Sequence, residues 1–390
     1  MSKIAKGLLN STCSFLTRIL NQVQIVMCDL ETKRMYKIHK ETDKNLKKAI
    51  HREYNQYKSE LKKYGLKAVK RDFYVFRKYF EEKGNKPSLI VPSYVTFNYL
   101  TPVLNPISTK AYFEDKNMFD KILPASFMPR TLARKINNQW LDINYEPIMK
   151  GSLEKFDQCK KIIVKPTQDT SSGKGIGVYE LKKGNWENIE DRTILNKENI
   201  NKIWGDRDLI IQEYLNQSDY LNQFCNSAIN TLRVVIYNSP VDNNTYLIWA
   251  GLKVALQGAI VDNAHAGGIV FGIGPDGTLA DYGADQFGNV YREFNGIDFS
   301  ENKYELPNYN KIIELCKEAM KYLYPNRFVS FDVAIDENNN PKIIEYNLRA
   351  YSGWYCQFAG DPMFGNKTEE ILSYITQNSR QGKKFFYFLS

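Results

Sequence analysis

Histidine is scarce in this 390-residue chain, which contains only His39, His51 and His265. So few histidines argue against a histidine-rich zinc site, and no local pattern pairs a histidine with a nucleophilic cysteine. The six cysteines include no Cys-x-x-Cys pair, which predicts reduced thiols in a cytosolic protein. They are Cys13, Cys28, Cys159, Cys225, Cys316 and Cys356.

Long apolar runs are missing as well. No run approaches the length of a membrane span, and no basic, apolar and small-residue pattern of a signal peptide is recognisable. These absences predict a cytoplasmic protein. Because 43% of the residues are hydrophobic, the chain can still bury a sizeable core, and its length predicts two or three lobes.

Positive charge is concentrated near the N-terminus. Residues 1–90 carry 21 Lys and Arg against 9 Asp and Glu, a net charge of +12, whereas the remaining residues carry a net charge of −3. A solvated helical face is the default explanation. The alternative is a surface for an anionic polysaccharide or for phospholipid headgroups. We expect no nucleic-acid partner, because nothing resembles a nucleic-acid-binding module.

The first 105 residues are predicted to form a basic, mainly helical region that docks a substrate or partner. Apolar residues recur at helical spacing over residues 2–27, either for packing or for lying at a membrane surface. Two further helices are predicted, one ending before Gly65 and one before Gly84. Residues 87–106 contain short β-like runs with Pro and Asn, which predicts a domain boundary there.

The second half is dominated by predicted strands. A helical segment over residues 115–123 precedes them, and helices return at 310–324 and 368–377. The predicted strands are 162–165, 177–181, 208–214, 231–237, 246–254 and 268–273. This pattern predicts an α+β fold with a largely antiparallel second half. We assign residues 106–215 to one lobe and residues 216–390 to another.

The most informative pattern is a late β-hairpin. Apolar strands at 331–336 and 343–347 flank a turn rich in Asn and Pro. Asp332, Glu345 and Asn347 alternate with apolar residues, so they could share one face. Two carboxylates and an amide oxygen suit magnesium and leave room for phosphate ligands. The alternative is an ordinary polar face turned to solvent.

A second pattern is a Gly/Ser-rich loop after the strand that ends at Lys165. Glycines let successive backbone N–H groups approach phosphate oxygens, and Lys165 and Lys174 would add positive charge. The loop is not a Walker A motif, because the spacing is wrong and a strand follows. Its central residues are Ser171, Ser172, Gly173, Lys174 and Gly175.

A third pattern is the apolar strand that ends in Gln212, Glu213 and Tyr214. Its backbone groups and acidic residue suit the amino edge of adenine or a ribose hydroxyl. A surface-exposed strand end is the alternative.

Together these patterns resemble the ATP-grasp enzymes. Lys165-Pro166, the glycine-rich loop, Gln212-Glu213-Tyr214 and the Asp332 hairpin occur in that family's order, over residues 110–375. The resemblance implies a fold that holds ATP between two α+β lobes and binds magnesium through a late Asp/Glu/Asn set. The helical N-terminal region does not match the lobe that usually precedes this fold.

The same resemblance implies roles for individual residues. Lys116 is similar to the first phosphate-binding lysine, with Lys110 and Lys121 as alternatives, and Lys165 to the second. Residues 171–175 resemble the mobile phosphate flap. The implied adenine contacts are Gln212, Glu213 and Tyr214, and the implied magnesium ligands are Asp332, Glu345 and Asn347.

Residues 230–235 and 261–269 resemble the sugar-transfer-associated ATP-grasp branch, which is linked to bacterial capsule and surface-glycan synthesis. Arg233 could neutralise a transferring phosphoryl group, or it could make only a structural ion pair. Lys253 is a further candidate contact for a phosphate or carboxylate. Asn263 and His265 lie in a polar loop where an acceptor is expected, so the resemblance gives all four residues catalytic roles.

The implied activity is an ADP-forming carboxylate–amine ligase with ATP and Mg²⁺ as cofactors. The expected product is an amide on a sugar acid, or an amino-acid decoration, of a bacterial surface polysaccharide. The implied partners are a small-molecule or glycan carboxylate, an amine, and membrane-associated assembly machinery that residues 1–90 bind at the inner membrane. The alternatives are an amino-acid or peptide ligase and a non-catalytic ATP-binding scaffold.

Overall fold

The structure, a computed structural model, begins with three helices. It describes residues 3–36, 44–106, 108, 110–148, 159–168, 175–260, 262, 267–349, 351 and 353–379, without the side chains of residues 3–18 and 110. Helix α1 spans Lys3–Met35, α2 spans Lys44–Lys63 and α3 spans Lys70–Glu82. The predicted helical N-terminal region is confirmed.

The β-like runs predicted for residues 87–106 are wrong. This segment forms a 3-10 turn at Pro87–Leu89, a π-helical turn at Thr96–Leu100 and helix α4 at Thr101–Leu104. Its β-branched and aromatic residues are buried in the core around α3, among them Ile90, Val91, Tyr94 and Val95. Tertiary packing therefore overrides the local β propensity.

A six-stranded antiparallel sheet follows the short helices α5 (Lys110–Phe113) and α6 (Phe119–Ile122). Its order is β2-β1-β6-β3-β4-β5. The strands are β1 (Thr131–Ile136), β2 (Gln139–Leu141), β3 (Lys161–Pro166), β4 (Gly177–Lys182), β5 (Asn185–Asn188) and β6 (Leu209–Glu213). Helix α7 (Lys197–Trp204) covers one face through Ile200 and Trp204. The sequence pattern did not indicate β1 and β2.

A second antiparallel sheet has seven strands in the order β11-β10-β9-β8-β7-β14-β15, and β12 and β13 form a separate small ribbon. The strands are β7 (Thr231–Asn238), β8 (Thr245–Val254), β9 (Ile269–Ile273), β10 (Leu279–Ala284), β11 (Val290–Tyr291), β12 (Glu293–Phe294), β13 (Ile297–Asp298), β14 (Phe328–Ile335) and β15 (Pro341–Asn347). The helices of this half are α8 (Asp219–Asn222), α9 (Tyr309–Ala319), α10 (Gly353–Phe358) and α11 (Thr368–Gln377).

The two faces of the second sheet pack against different partners. On one face, Val234, Leu252 and Phe331 share a core with Ile312 and Cys316 of α9. The other face packs against α10, α11 and the N-terminal helices through Val235, Tyr237, Trp249 and Phe328. Because side chains alternate along a strand, Arg233 and Asp332 lie on this second face.

The N-terminal helices are integrated with the C-terminal part of the chain. The Phe358 ring of α10 lies 4.9 Å from that of Phe76 and 5.1 Å from that of Tyr79. Lys83 pairs with Asp361 at 2.7 Å. The buried residues of α1, α2, α3 and α4 therefore belong to a core that a truncation at residue 85 would expose. The predicted boundaries at residues 105 and 215 stay predictions.

The sequence predicts that the protein has no membrane-spanning segment and that its cysteines are reduced. No helix in the described part of the chain combines the length and the apolar character needed to cross a bilayer. The five cysteines among the described residues form no disulfide.

Candidate nucleotide and metal site

The predicted hairpin exists, formed by β14 and β15. Asp332 lies opposite Glu345 on β15 and opposite Arg233 on β7, while Asn347 lies opposite Ser330. A register shift follows Asp332 on the β15 side. Asp332 thus lies between Glu345 on one neighbouring strand and Arg233 on the other. The hairpin therefore carries two carboxylates side by side at the edge of the second sheet.

Asp332 is the centre of a buried charge cluster. The Arg233 Nε atom lies 2.7 Å from Asp332 Oδ1, and the Lys253 Nζ atom lies 3.3 Å from the same oxygen. Lys253 also lies 3.5 Å from a carboxylate oxygen of Asp262. Burial alone would raise the pKa of Asp332, but the two cations outweigh it and hold the pKa below its ordinary value. Asp332 is therefore ionised.

A second cluster joins the two sheets at Glu345. The Lys116 Nζ atom lies 2.9 Å from Glu345 Oε1, and the Lys116 amide donates to the Thr167 carbonyl at the end of β3. Lys165, the penultimate residue of β3, is also buried. Burial, reinforced by the charge of Lys116 and opposed by that of Glu345, lowers the pKa of Lys165 to about 8.

The structure bears on which lysine accompanies Lys165. Lys116 begins a short 3-10 turn, Lys116–Met118. The Asp115 carboxylate caps this turn by accepting a hydrogen bond from the Asn117 amide at 2.9 Å. Lys121 instead places its ammonium 4.2 Å from the Tyr145 ring centroid. The side chain of Lys110 lies outside the described residues. Of the two described lysines, Lys116 is the one that contacts the hairpin.

The residues predicted to contact adenine lie at the end of β6 and directly after it. Gln212 is buried, and its side-chain amide lies 3.4 Å from the Pro129 carbonyl. The Glu213 carboxylate accepts from the Arg130 backbone amide at 2.9 Å and pairs with the Arg130 Nε at 3.3 Å. The Tyr214 amide donates to the Lys161 carbonyl at 3.2 Å. Gln212 is one strand away from Lys165, because β6 and β3 are neighbours.

Of the loop predicted to act as a phosphate flap, residues 171–175, the structure describes only Gly175. Gly175 has a φ of +79°, and a Cβ there would lie 3.3 Å from Pro166. The Gly175 carbonyl accepts from the Trp204 indole at 2.7 Å. Glycine is thus required where the flap returns to β4. Other predicted site residues lie outside the described residues: Ser171, Ser172, Gly173, Lys174, Asn263 and His265.

Sequence reasoning missed three residues at the site. Asp262 accepts from the Thr231 amide at 2.9 Å and faces Lys253; its place beside Asn263 was the only available signal. Tyr355 of α10 places its ring centroid 5.9 Å from the Arg233 guanidinium carbon. No sequence signal connected Arg130 with Glu213.

The donor set fits magnesium. The hairpin offers two carboxylates and one amide, which are hard oxygen ligands. The described residues contain no group of three or more His, Cys, Asp or Glu arranged to hold a metal. Magnesium commonly uses one or two protein carboxylates and takes its other ligands from phosphates and water. Asp332, Glu345 and Asn347 are sufficient for that mode of binding.

Two lobes built of antiparallel sheets, with two buried lysines and an acidic hairpin between them, define an ATP-grasp fold. Residues 97–372 match the model of the family described as sugar-transfer associated ATP-grasp, and the chain belongs to this family. The fold and the family predicted from the sequence are confirmed. No curated protein matches the chain.

Solved structures with this fold are distant. An L-amino acid ligase from Bacillus licheniformis is 12% identical, with a TM-score of 0.40, over 70% of this chain and 51% of its own. The ATP-grasp ligase PsnB, complexed with a minimal precursor, Mg and ADP, is 13% identical, with a TM-score of 0.38, over 77% and 72%. The D-cycloserine synthetase DcsG is 10% identical, with a TM-score of 0.40, over 86% and 96%. This chain therefore spans about half the length of the first of these proteins.

Proposed function

We propose that the protein is an ATP-dependent carboxylate–amine ligase that acts through an acyl phosphate. The observation that supports this proposal most strongly is the pair of charge clusters on one hairpin. Glu345 holds Lys116 next to Lys165, and Asp332 holds Arg233 next to Lys253. Four basic side chains around two carboxylates suit a triphosphate that arrives with a metal ion.

Each residue has a distinct task in this proposal. Lys116 and Lys165 bind the phosphates, residues 171–175 also contact the phosphates, and the end of β6 contacts adenine. Asp332, Glu345 and Asn347 would hold magnesium, which would neutralise phosphate charge. A scaffold that only senses ATP has no need for this complete set, which favours an enzyme.

The chemical step requires no nucleophile from the protein. A carboxylate oxygen of the substrate attacks the γ-phosphorus and ADP leaves; an amine then attacks the acyl carbon and phosphate leaves. In this proposal Arg233 and Lys253, which are both buried beside Asp332, stabilise the charge on the transferring phosphoryl group. Asn263 and His265 are proposed to contact the acceptor.

The family description, sugar-transfer associated, supports an amide on a bacterial surface polysaccharide as the product. The carboxylate would belong to a sugar acid or to an amino acid that decorates the glycan. A peptide-forming ligase is the second candidate, because the same clusters can activate any carboxylate.

Screening a panel of carboxylates for ADP release tests the proposal. Hydroxylamine serves as a general amine, because it attacks an acyl phosphate to give a hydroxamate and free phosphate. We expect hydroxamate and ADP in equal amounts, dependent on Mg²⁺, with at least one class of carboxylate. ADP release without any hydroxamate, across sugar acids and amino acids alike, would contradict a ligase.

Lys165 gives a prediction about nucleotide binding. Because the pKa of Lys165 is about 8, the lysine is charged below that pH and neutral above it. ATP affinity measured by calorimetry should therefore be highest below pH 8 and fall as the pH rises further. Lys165→Met should weaken binding at pH 7 by roughly 1.5–3 kcal/mol and remove this fall.

A matched control for this experiment is Lys135→Met. Lys135 is a buried lysine on the neighbouring part of the same sheet, and its ammonium donates to the Gly205 carbonyl at 2.6 Å. This variant should keep both the affinity and its pH dependence. An unchanged pH profile in Lys165→Met would show that another group causes the fall.

We also propose that the N-terminal region docks an anionic glycan or assembly machinery at the cytoplasmic face of the inner membrane. Two surfaces support this. Helix α2 exposes Lys44, Lys47 and Lys48. Helix α1 exposes an apolar stripe of six residues, namely Ile19, Leu20, Val23, Val26, Met27 and Leu30. Basic and exposed apolar surfaces are both typical of docking sites.

Charge reversal tests the docking proposal better than truncation, which would open the shared core. Lys47→Glu with Lys48→Glu should reduce retention on an immobilised polyanionic glycan severalfold, and most strongly at low salt. The control pair, Lys311→Glu on α9 with Lys321→Glu just after it, has the same change in net charge. An equal loss of retention in both double variants would mean that net charge, and not the N-terminal surface, controls retention.

A further inference from the structure

A cavity of about 310 Å³ lies between the N-terminal helices and the segment that follows β15. Its walls come from α1, α3, the turn at Thr96–Leu100 and α10. Cavities that bind small molecules span roughly 300 to 1,000 Å³, so this one suits a single small compound and not a polymer. None of the site residues derived above lines it.

The cavity is close to the site at two points. Arg349 lines it and follows Asn347 by two residues. Trp354 of α10 also lines it, with its ring centroid 3.8 Å from that of Tyr355. Tyr355 in turn lies beside Arg233. Arg349 and Trp354 therefore connect the cavity wall with the hairpin and, through Tyr355, with the Asp332 cluster.

The charged lining consists of one residue of each sign, Arg349 on the wall next to the hairpin and Glu31 on the α1 wall. A further carboxylate lies behind the lining. The fully buried Asp72 accepts from the Thr32 hydroxyl at 2.9 Å and from the Ser93 amide at 2.8 Å. Thr32 and Ser93 both line the cavity. The α1 wall thus carries the acidic groups, and the wall next to the site carries the Arg349 guanidinium, which also lies 3.8 Å from a carboxylate oxygen of Glu114.

The rest of the lining is largely aromatic. Tyr36, Phe76, Phe97 and Trp354 contribute rings, and Met35 and Met363 contribute thioethers. Aromatic faces carry negative charge density that attracts an ammonium group, and they also bury apolar side chains. A sugar acid would instead require many hydrogen-bonding groups for its hydroxyls, and the side chains of Thr32, Ser93 and Gln357 on the lining already bond to Asp72 or to the Val91 backbone. The lining suits a compound with an ammonium group, a carboxylate and an apolar body.

We propose that this cavity binds the carboxylate substrate and that this substrate is a free amino acid with an apolar side chain. Its carboxylate is directed toward Arg349 and the γ-phosphate, and its ammonium group toward Glu31 and the Thr32–Asp72 wall. This inference rests on the proposed ligase function and adds the substrate class. The activated amino acid is then passed to an amine acceptor, which the cavity itself has no room to hold.

The hydroxamate assay on the full-length protein tests the substrate class. L-Phenylalanine, L-leucine and L-methionine should each give hydroxamate with ATP and Mg²⁺. 3-Phenylpropionate, which lacks only the ammonium group of phenylalanine, should have a kcat/KM at least about tenfold lower, the cost of losing a charged hydrogen bond. D-Glucuronate should give none.

Two variants test the location. Phe97→Ala, at a half-exposed ring, and Glu31→Gln should raise the KM for phenylalanine severalfold and leave the KM for ATP unchanged. Glu31→Gln should also reduce the difference in kcat/KM between phenylalanine and 3-phenylpropionate. A merely structural role of Glu31 would leave this difference unchanged. The controls are Phe287→Ala, an equally exposed ring outside the cavity lining, and Glu314→Gln on α9.

The outcomes separate the two proposals. Hydroxamate from glucuronate but from no amino acid would overturn the cavity inference and leave the ligase function standing. Amino-acid activity with an unchanged KM in both variants would overturn the location alone. No hydroxamate from any carboxylate would overturn the ligase function, and the cavity inference with it.

Discussion

Asp332→Asn should reduce ADP formation by roughly two to three orders of magnitude, and Glu345→Gln should do the same. Both changes remove a negative oxygen from the hairpin while keeping the size of the side chain. The loss should appear in kcat and in the Mg²⁺ concentration needed for half-maximal rate. Steady-state ADP release over a Mg²⁺ titration measures both effects.

The buried position of Asp332 calls for two controls. Asp262→Asn also removes a carboxylate partner of Lys253, yet Asp262 is not on the hairpin, so the Mg²⁺ dependence should be unchanged. Thermal unfolding should show a cost in Asp332→Asn, because breaking one side of a buried ion pair is destabilising by about 3–5 kcal/mol. Wild-type activity in either hairpin variant would refute the magnesium assignment.

Arg233→Gln should lower kcat by roughly 100- to 1,000-fold with little change in the KM for ATP. Arg233 is 8% exposed and its guanidinium faces Asp332 and Tyr355, so in this buried position its charge acts at short range and is weakly screened. Arg233→Lys should not restore the rate, since a point charge does not reproduce the planar fork. Single-turnover ADP formation isolates the chemical step.

The double variant Arg233→Gln with Asp332→Asn separates catalysis from a structural ion pair. If Arg233 only balances the Asp332 charge, the double variant should be as active as Asp332→Asn alone. We expect it to regain thermal stability and to form ADP more slowly than Asp332→Asn alone. An Arg233→Gln enzyme with the wild-type kcat would show that the guanidinium takes no part in the transition state.

Local patterns were sufficient for much of the second half of the fold. The observed strands β3, β4, β6, β7, β8 and β9 match the predicted ones within a residue or two, because each is a short apolar run between turn residues. The helices at Pro87–Leu104 were not predictable in this way. Their β-branched and aromatic residues share a core with α10, where the Gln357 side chain accepts from the Val91 amide 266 residues earlier in the sequence.

The candidate site shows the same limit. The order of the motifs identified Lys165, Asp332 and Glu345 as members of one site, and these remain predictions for experiment. The contacts that give them their charge states could not be read from the sequence. Lys116 and Glu345 are 229 residues apart, and the register that places Arg233 opposite Asp332 depends on the whole sheet.

The most direct test of the central claim follows the oxygen of the substrate carboxylate. With a carboxylate labelled in both oxygens with ¹⁸O, an acyl-phosphate route transfers one labelled oxygen to the released phosphate. We predict one ¹⁸O atom in each phosphate formed together with the amide, measured by mass spectrometry. Phosphate without the label would show that the γ-phosphoryl group never bonds to the carboxylate, and it would contradict the ligase mechanism.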